Sequence, residues 1–180
     1  MIGSVHYLTR AVAARRGDLF NEESWTAYRD DVLRLAAAPQ VDVLGHIAGY
    51  LPMEPLLHPG PTFDECRAME REIAARFFDH SWYEAVFVRA AATGKAVELH
   101  CATCTPDPDA VRLGLRLGVK SSIGSDAHSL ERVGEIAWAL DLLEVLGATE
   151  NDVFLPEGAG RPRLRGRSGR SCRPRGGVPR

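Results

Sequence analysis

Histidines and carboxylates recur where short apolar segments of this sequence end. These residues are His6, His46, Glu98, His100, Asp126 and His128. In parallel α/β folds, functional side chains gather at the C-terminal ends of the strands, where rigid strands hold free loops. Imidazole and carboxylate groups together suit zinc, manganese or iron. The spacing therefore predicts a metal site at one edge of a sheet, and strand alternation places Glu98 and His100 on one face.

Two other histidines and the cysteines lack this pattern. His58 lies in a proline-rich segment and His80 precedes a helix start, so both are interpreted as ordinary polar residues. Cys101 and Cys104 form a C-x-x-C pair, but the other two cysteines form no second pair, as a zinc ribbon requires. The spacing fits no disulfide framework. We expect ordinary buried thiols, with a redox or structural zinc pair as the alternative.

Strands that alternate with helices would position these residues. The predicted strands cover residues 2–7, 41–44, 96–100 and 119–123. Four of the predicted helices cover residues 24–38, 81–94, 107–118 and 131–146. A fifth, between the first two of these, begins at the capping box of Thr62 and Glu65. This order is typical of βα units around a parallel sheet. Because four strands are too few to close a barrel, the chain is predicted to be part of a larger α/β fold.

Charge divides the chain into two regions. Residues 158–180 hold eight arginines and no acidic residue, so the rest of the chain has 14 basic residues against 24 acidic ones, a net charge of −10. An acidic body argues against a nucleic-acid-binding domain. The Arg/Gly/Pro-rich tail is predicted to be disordered, with a capacity for nonspecific binding of polyanions. The alternative is an artefact, because a GC-rich gene read out of frame encodes this composition.

Neither a membrane span nor a secretion signal is predicted. No apolar run approaches the 18 or so residues that a membrane helix needs. The N-terminal segment has neither the basic nor the apolar region of a signal peptide. We therefore expect a cytoplasmic protein.

Four consecutive motifs carry a resemblance to a known family. They are Gly3-Ser-Val-His6-Tyr-Leu, Asp42-Val-Leu-Gly-His46, Val97-Glu-Leu-His100 and Gly118-Val-Lys-Ser-Ser-Ile-Gly-Ser-Asp126-Ala-His128. Together they resemble the motifs of PHP (polymerase and histidinol phosphatase) proteins. The first motif is most similar to the histidinol-phosphatase branch, which acts in histidine biosynthesis, and the fourth is the most specific. The resemblance spans residues 2–154.

This resemblance implies a distorted (βα)7 TIM-like barrel that holds up to three divalent metal ions, zinc, manganese or iron, and hydrolyses a small phosphate ester. Residues 1–157 would be a partial PHP domain, holding the C-terminal strands and helices only. By the resemblance, His6 and His46 match ligands that share one metal with a glutamate from an earlier strand. Asp126 matches a ligand of a second metal and His128 of a third, which gives both a catalytic role. Glu98 and His100 are expected to contact the substrate, with a role as an added metal ligand as the alternative for His100.

Three hypotheses about the function are open, because the sequence departs from the family pattern and does not specify the substrate. The family's H-x-H pair and bridging glutamate are not found here, and position 100, usually asparagine in relatives, is a histidine. The first hypothesis is a truncated and impaired histidinol-phosphatase-like enzyme, and the second is an inactive remnant with a metal-binding or structural role. A third is a PHP phosphoesterase that acts on nucleotides or other small phosphates. We expect very low phosphatase activity of this chain and self-association through apolar surface that a complete barrel would cover.

Overall fold

Four short parallel strands organise the part of the chain that the structure describes. This structure is a computed structural model, and it describes residues 1–5, 22–48, 63–127 and 129–156. The strands are β1 (Ile2–Gly3), β2 (Val43–Leu44), β3 (Ala96–His100) and β4 (Ser121–Gly124). They form one sheet in the order β1-β2-β3-β4, and every neighbouring pair is parallel. The predicted α/β class with a parallel sheet is therefore confirmed.

Helices connect these strands, as the alternating sequence pattern predicts. They are α1 (Glu22–Ala37), α2 (Phe63–Phe77), α3 (His80–Ala92), α4 (Pro108–Arg116) and α5 (Ala137–Val145), with 3-10 turns at Leu130–Arg132 and Glu150–Asp152. Strand β3 and the Asp107 cap of α4 agree with the sequence prediction. None of the helices in the described ranges has the length and apolar character that crossing a membrane requires.

Two helix predictions are wrong in detail. The single helix predicted over residues 131–146 is interrupted, because Gly134 adopts a left-handed φ of +80° between the 3-10 turn and α5. The cap of α3 is Asp79 rather than Ser81. The Oδ1 atom of Asp79 accepts hydrogen bonds from the Trp82 N–H at 2.8 Å and from the Ser81 hydroxyl at 2.7 Å. A carboxylate two residues earlier therefore replaces the predicted hydroxyl as the cap.

The hydrophobic core lies between the helices and one face of the sheet. Leu44 and Val97 are paired in register on β2 and β3, and both join a large cluster with α1, α2 and α3. Trp25 is completely buried in that cluster, with its ring 5.6 Å from that of Tyr28. Leu99 belongs to a second cluster with Leu143 of α5. Val97 and Leu99 thus fix the face of β3 that meets the helices.

An apolar groove lies beside the sheet. Its volume is about 820 Å³. It is lined by Met1, Ile2, Asp42, Val43, Ser122, Ile123, Ile136, Leu140, Val153, Phe154, Leu155 and Pro156. Ile2, on terminal strand β1, is 61% exposed. Self-association stays a prediction, which size-exclusion chromatography of the full chain would check.

Candidate functional site

The C-terminal ends of β2, β3 and β4 bring together four of the predicted site residues. Leu44 is in register with Val97, and His100 is in register with Gly124. The loops after β2 and β4 therefore start beside the last residues of β3. In this arrangement His46 and Asp126 flank the side chains of Glu98 and His100.

The Glu98 carboxylate is buried between the ends of two neighbouring strands. It is 8% exposed, and its Oε2 atom accepts a hydrogen bond from the backbone N–H of His46 at 2.8 Å. A Cβ atom at Gly124 would overlap Oε1 of Glu98, and one at Gly45 would approach Oε2 to 3.3 Å. The two glycines therefore leave the space that the carboxylate occupies.

His46 is held in an unusual backbone conformation. Its φ of +27° is positive, which is uncommon for a residue with a side chain and is found at sites where the surroundings enforce it. Glu98 binds its N–H, and the Tyr28 hydroxyl donates to the carbonyl groups of His46 at 3.3 Å and of Ile47 at 3.1 Å. The His46 ring lies 5.5 Å from the His100 ring, nearly perpendicular to it. Contacts from α1 and β3 thus position this imidazole.

The Tyr28 contact predicts a difference between two buried tyrosines. Tyr28→Phe removes a hydroxyl with two carbonyl acceptors and should lower the free energy of unfolding by about 1 kcal/mol. Tyr83 is the matched control, because its buried hydroxyl has no hydrogen-bond partner among the described residues. Tyr83→Phe should therefore be neutral or stabilising. Urea denaturation of both variants checks this, and an equal loss in both would contradict the role given to Tyr28.

His100 is buried completely, and both of its ring nitrogens are engaged. Nε2 lies 3.0 Å from Oδ2 of Asp126, and Nδ1 lies 2.6 Å from the Thr103 hydroxyl. The Thr103 hydroxyl is in turn 2.9 Å from that of Thr105. Backbone hydrogen bonds in both directions between His100 and Thr105 close the turn that carries these hydroxyls. The result is a continuous chain of polar contacts from Thr105 to Asp126.

Asp126 is the most accessible member of this group. Its side chain is 33% exposed, and its φ of +43° is the second positive value at the site outside glycine. Asp is among the residues that tolerate this region best. Two candidate ligands, His46 and Asp126, thus share a strained backbone at the same end of the sheet.

The other predicted ligands, His6 and His128, lie outside the described residues, as does the tail of residues 158–180. Within the described ranges, no group of three or more His, Cys, Asp or Glu side chains is placed to hold a metal ion. The donors that do meet, an imidazole and a carboxylate, are of the type that zinc, manganese and iron accept.

The residues that support the site were missed in the sequence. Thr103 and Thr105 follow β3 by a few residues, but hydroxyl residues are common in turns and carried no signal. Gly45 and Gly124 did carry a signal in the sequence, because each lies within two residues of a predicted ligand. Glycine in that position indicates a close approach of another group to the backbone.

The two cysteines next to this turn differ from each other. Cys101 is a free, buried thiol, as predicted. Burial raises its pKa to about 11, with a smaller contribution from the nearby Glu98 charge, against a backbone hydrogen bond that lowers it. Cys104 is disulfide-bonded, so the prediction of an ordinary thiol is wrong there. Because this bond does not involve Cys101, the C-x-x-C pair is not joined as a redox disulfide.

The raised pKa predicts low reactivity of Cys101. The thiolate is the nucleophile, so iodoacetamide should modify Cys101 far more slowly in the folded protein than in urea at mildly alkaline pH. The pKa of Cys101 is about 11 in the folded protein and 9.0 for an ordinary thiol, so at neutral pH the thiol is protonated in both states. As the pH rises from about 9 to 11, the thiol ionises more readily in the unfolded chain, and the free energy of unfolding falls. Mass spectrometry of the Cys101 peptide after timed alkylation measures this. Equal rates in folded and unfolded protein would contradict it.

Comparison of the chain with protein-family models, with curated proteins and with solved structures finds no match to any of them.

Proposed function

We propose that this chain is a metal-dependent phosphoesterase of the PHP type that acts on a small phosphate monoester, as histidinol phosphatases do. The observation that carries the proposal is the meeting of His46, Glu98, His100 and Asp126 at the C-terminal ends of three adjacent parallel strands. In parallel α/β proteins, catalytic groups gather at that end. The proposed fold is a distorted (βα)7 barrel, to which the parallel sheet would contribute four strands.

On the basis of the motif resemblance, His6 and His46 would hold one divalent ion, zinc, manganese or iron, while Asp126 would hold a second and His128 a third. Such an ion polarises phosphoryl oxygens and lowers the pKa of a bound water to about 7. The residues of this chain would supply position and charge. Glu98 holds the backbone that carries His46, and His100 contacts the carboxylate of Asp126.

Metal content tests the proposal. The full chain, purified and loaded separately with zinc, manganese and iron, should retain at least one of them after dialysis. His46→Ala should lower the retained metal several-fold. The matched control is His80→Ala, because His80 is an exposed histidine at the start of α3 and belongs to none of the four motifs. Equal metal content in the wild type and the His46 variant would show that His46 is not a metal ligand.

Turnover separates the proposal from its alternative, an inactive remnant with a metal-binding or structural role. The sequence contains no H-x-H pair, so hydrolysis of histidinol phosphate by the metal-loaded chain should be very slow. Weak hydrolysis that requires His46 and Asp126 would support the enzyme. Metal retention without any turnover would support the remnant, and loss of all metal on dialysis would contradict both metal-binding roles.

A further inference from the structure

We propose that His100 is a positioning residue for Asp126, held by Thr103 and Thr105, rather than a metal ligand or a substrate contact. This inference rests on the proposed function for the role of Asp126. Its basis is the chain of contacts from the Thr105 hydroxyl through Thr103 and the His100 ring to Asp126.

The chemistry of the partners fixes the direction of these hydrogen bonds. An ionised carboxylate only accepts, so Nε2 of His100 carries the proton that points to Oδ2 of Asp126. In a neutral ring, Nδ1 is then an acceptor, and the Thr103 hydroxyl must donate to it. Thr103 in turn accepts from Thr105. The Asp126 carboxylate therefore selects the Nε2–H tautomer, and the two threonine hydroxyls complete the hydrogen bonds of that tautomer.

Burial makes this arrangement specific. His100 and Thr103 are 0% and 6% exposed, so water does not readily replace a lost partner. The Asp126 side chain is 33% exposed, and the buried His100 ring contacts its carboxylate from β3. A metal ligand would instead present an unprotonated nitrogen to the ion. Such supporting residues typically change metal affinity 10–100-fold when they are removed.

Two measurements test the inference. In the metal-free full chain, nitrogen-15 NMR should show the His100 proton on Nε2, with the signal assigned by its absence in His100→Asn. Thr103→Val should shift the Nδ1 resonance by removing its donor, while Thr103→Ser, which keeps the hydroxyl, should not. A proton on Nδ1 in the wild type, or a Thr103→Val spectrum unchanged at Nδ1, would overturn the proposal.

Metal affinity, measured by competition with a chelator, provides the second readout. His100→Phe should weaken binding of the retained ion about 10–100-fold, whereas His100→Gln should restore most of it, because its amide N–H reaches about the position of Nε2 and can donate to Asp126. Weak binding in a folded His100→Gln variant would instead make His100 a direct ligand and overturn the inference. If His100→Phe does not fold, the pair Thr103→Val and Thr103→Ser gives the comparison, with only the valine variant weakened. If the wild type binds no metal, the proposed function fails, and the NMR result alone decides whether His100 holds Asp126.

Discussion

Gly124→Ala is expected to lower the free energy of unfolding by about 3 kcal/mol or more. The added methyl group would overlap Oε1 of Glu98, a buried carboxylate whose Oε2 atom accepts the hydrogen bond from the His46 N–H. Overpacking a core costs about 1–3 kcal/mol. Displacing the carboxylate from the His46 N–H adds about 1–3 kcal/mol, because it disturbs a buried charged group. Urea denaturation measures the change.

Two comparisons isolate this contact. Gly114→Ala is the matched control, because a Cβ there meets the Phe87 ring at an ordinary 3.7 Å and alanine favours the helix. It should be neutral or stabilising by up to about 1 kcal/mol. In a Glu98→Ala background, Gly124→Ala should cost less than about 1 kcal/mol, since the overlapping oxygen is gone. An undiminished cost in that background would show that Gly124 is required for a reason other than Glu98.

Trp25→Ala is expected to cost about 3–5 kcal/mol, the range for removal of a large aromatic side chain from a core. Trp25 is completely buried, and its ring packs edge-on against Phe78 at 5.7 Å and stacks on Phe77 at 6.3 Å. The same ring supports Tyr28, whose hydroxyl holds the His46 carbonyl. The variant should therefore also retain less metal if His46 is a ligand.

Thermal and urea unfolding of Trp25→Ala measure its loss of stability. The control is Val145→Ala, a truncation in α5 at a position 81% exposed, which should change stability by less than about 0.5 kcal/mol. A loss below about 1.5 kcal/mol for Trp25→Ala would contradict the view that the aromatic cluster anchors α1 to the sheet.

Local patterns in the sequence predicted the strand and helix order because each is set by neighbouring residues. Ala96–His100 is a run of residues buried on both sides, and Asp107 with Pro108 marks a helix start directly. Strand β2 came out shorter than predicted, because it begins at Val43 rather than at residue 41. After its end at Leu44, the backbone turns at Gly45 and His46, where the His46 N–H meets Glu98. That turn depends on a residue 52 positions away, which no local pattern contains.

For the candidate site, the sequence predicted which strand face carries the side chains but not which groups those side chains contact. Strand alternation correctly placed Glu98 and His100 on one face, because the period of a strand is local. The partners of those side chains were not predictable, since they depend on register between strands and on loop conformations. The positive φ values of His46 and Asp126 are of this kind: neither residue type requires them, and contacts from β3 accompany both.

The side-chain alternation of strand β3 also disfavours a shifted register against β4 during folding. Glu98 and His100 contact the loops that follow β2 and β4. They alternate along β3 with Val97 and Leu99, which face the helices. A slip of one residue against β4 would send a carboxylate and an imidazole into the aliphatic layer and two aliphatic side chains into the polar site. Misregistered chains would thus lose core burial, about 1.5–3 kcal/mol for each aliphatic side chain, together with both loop anchors. The same alternation that builds the site therefore rejects the nearest wrong pairing during assembly.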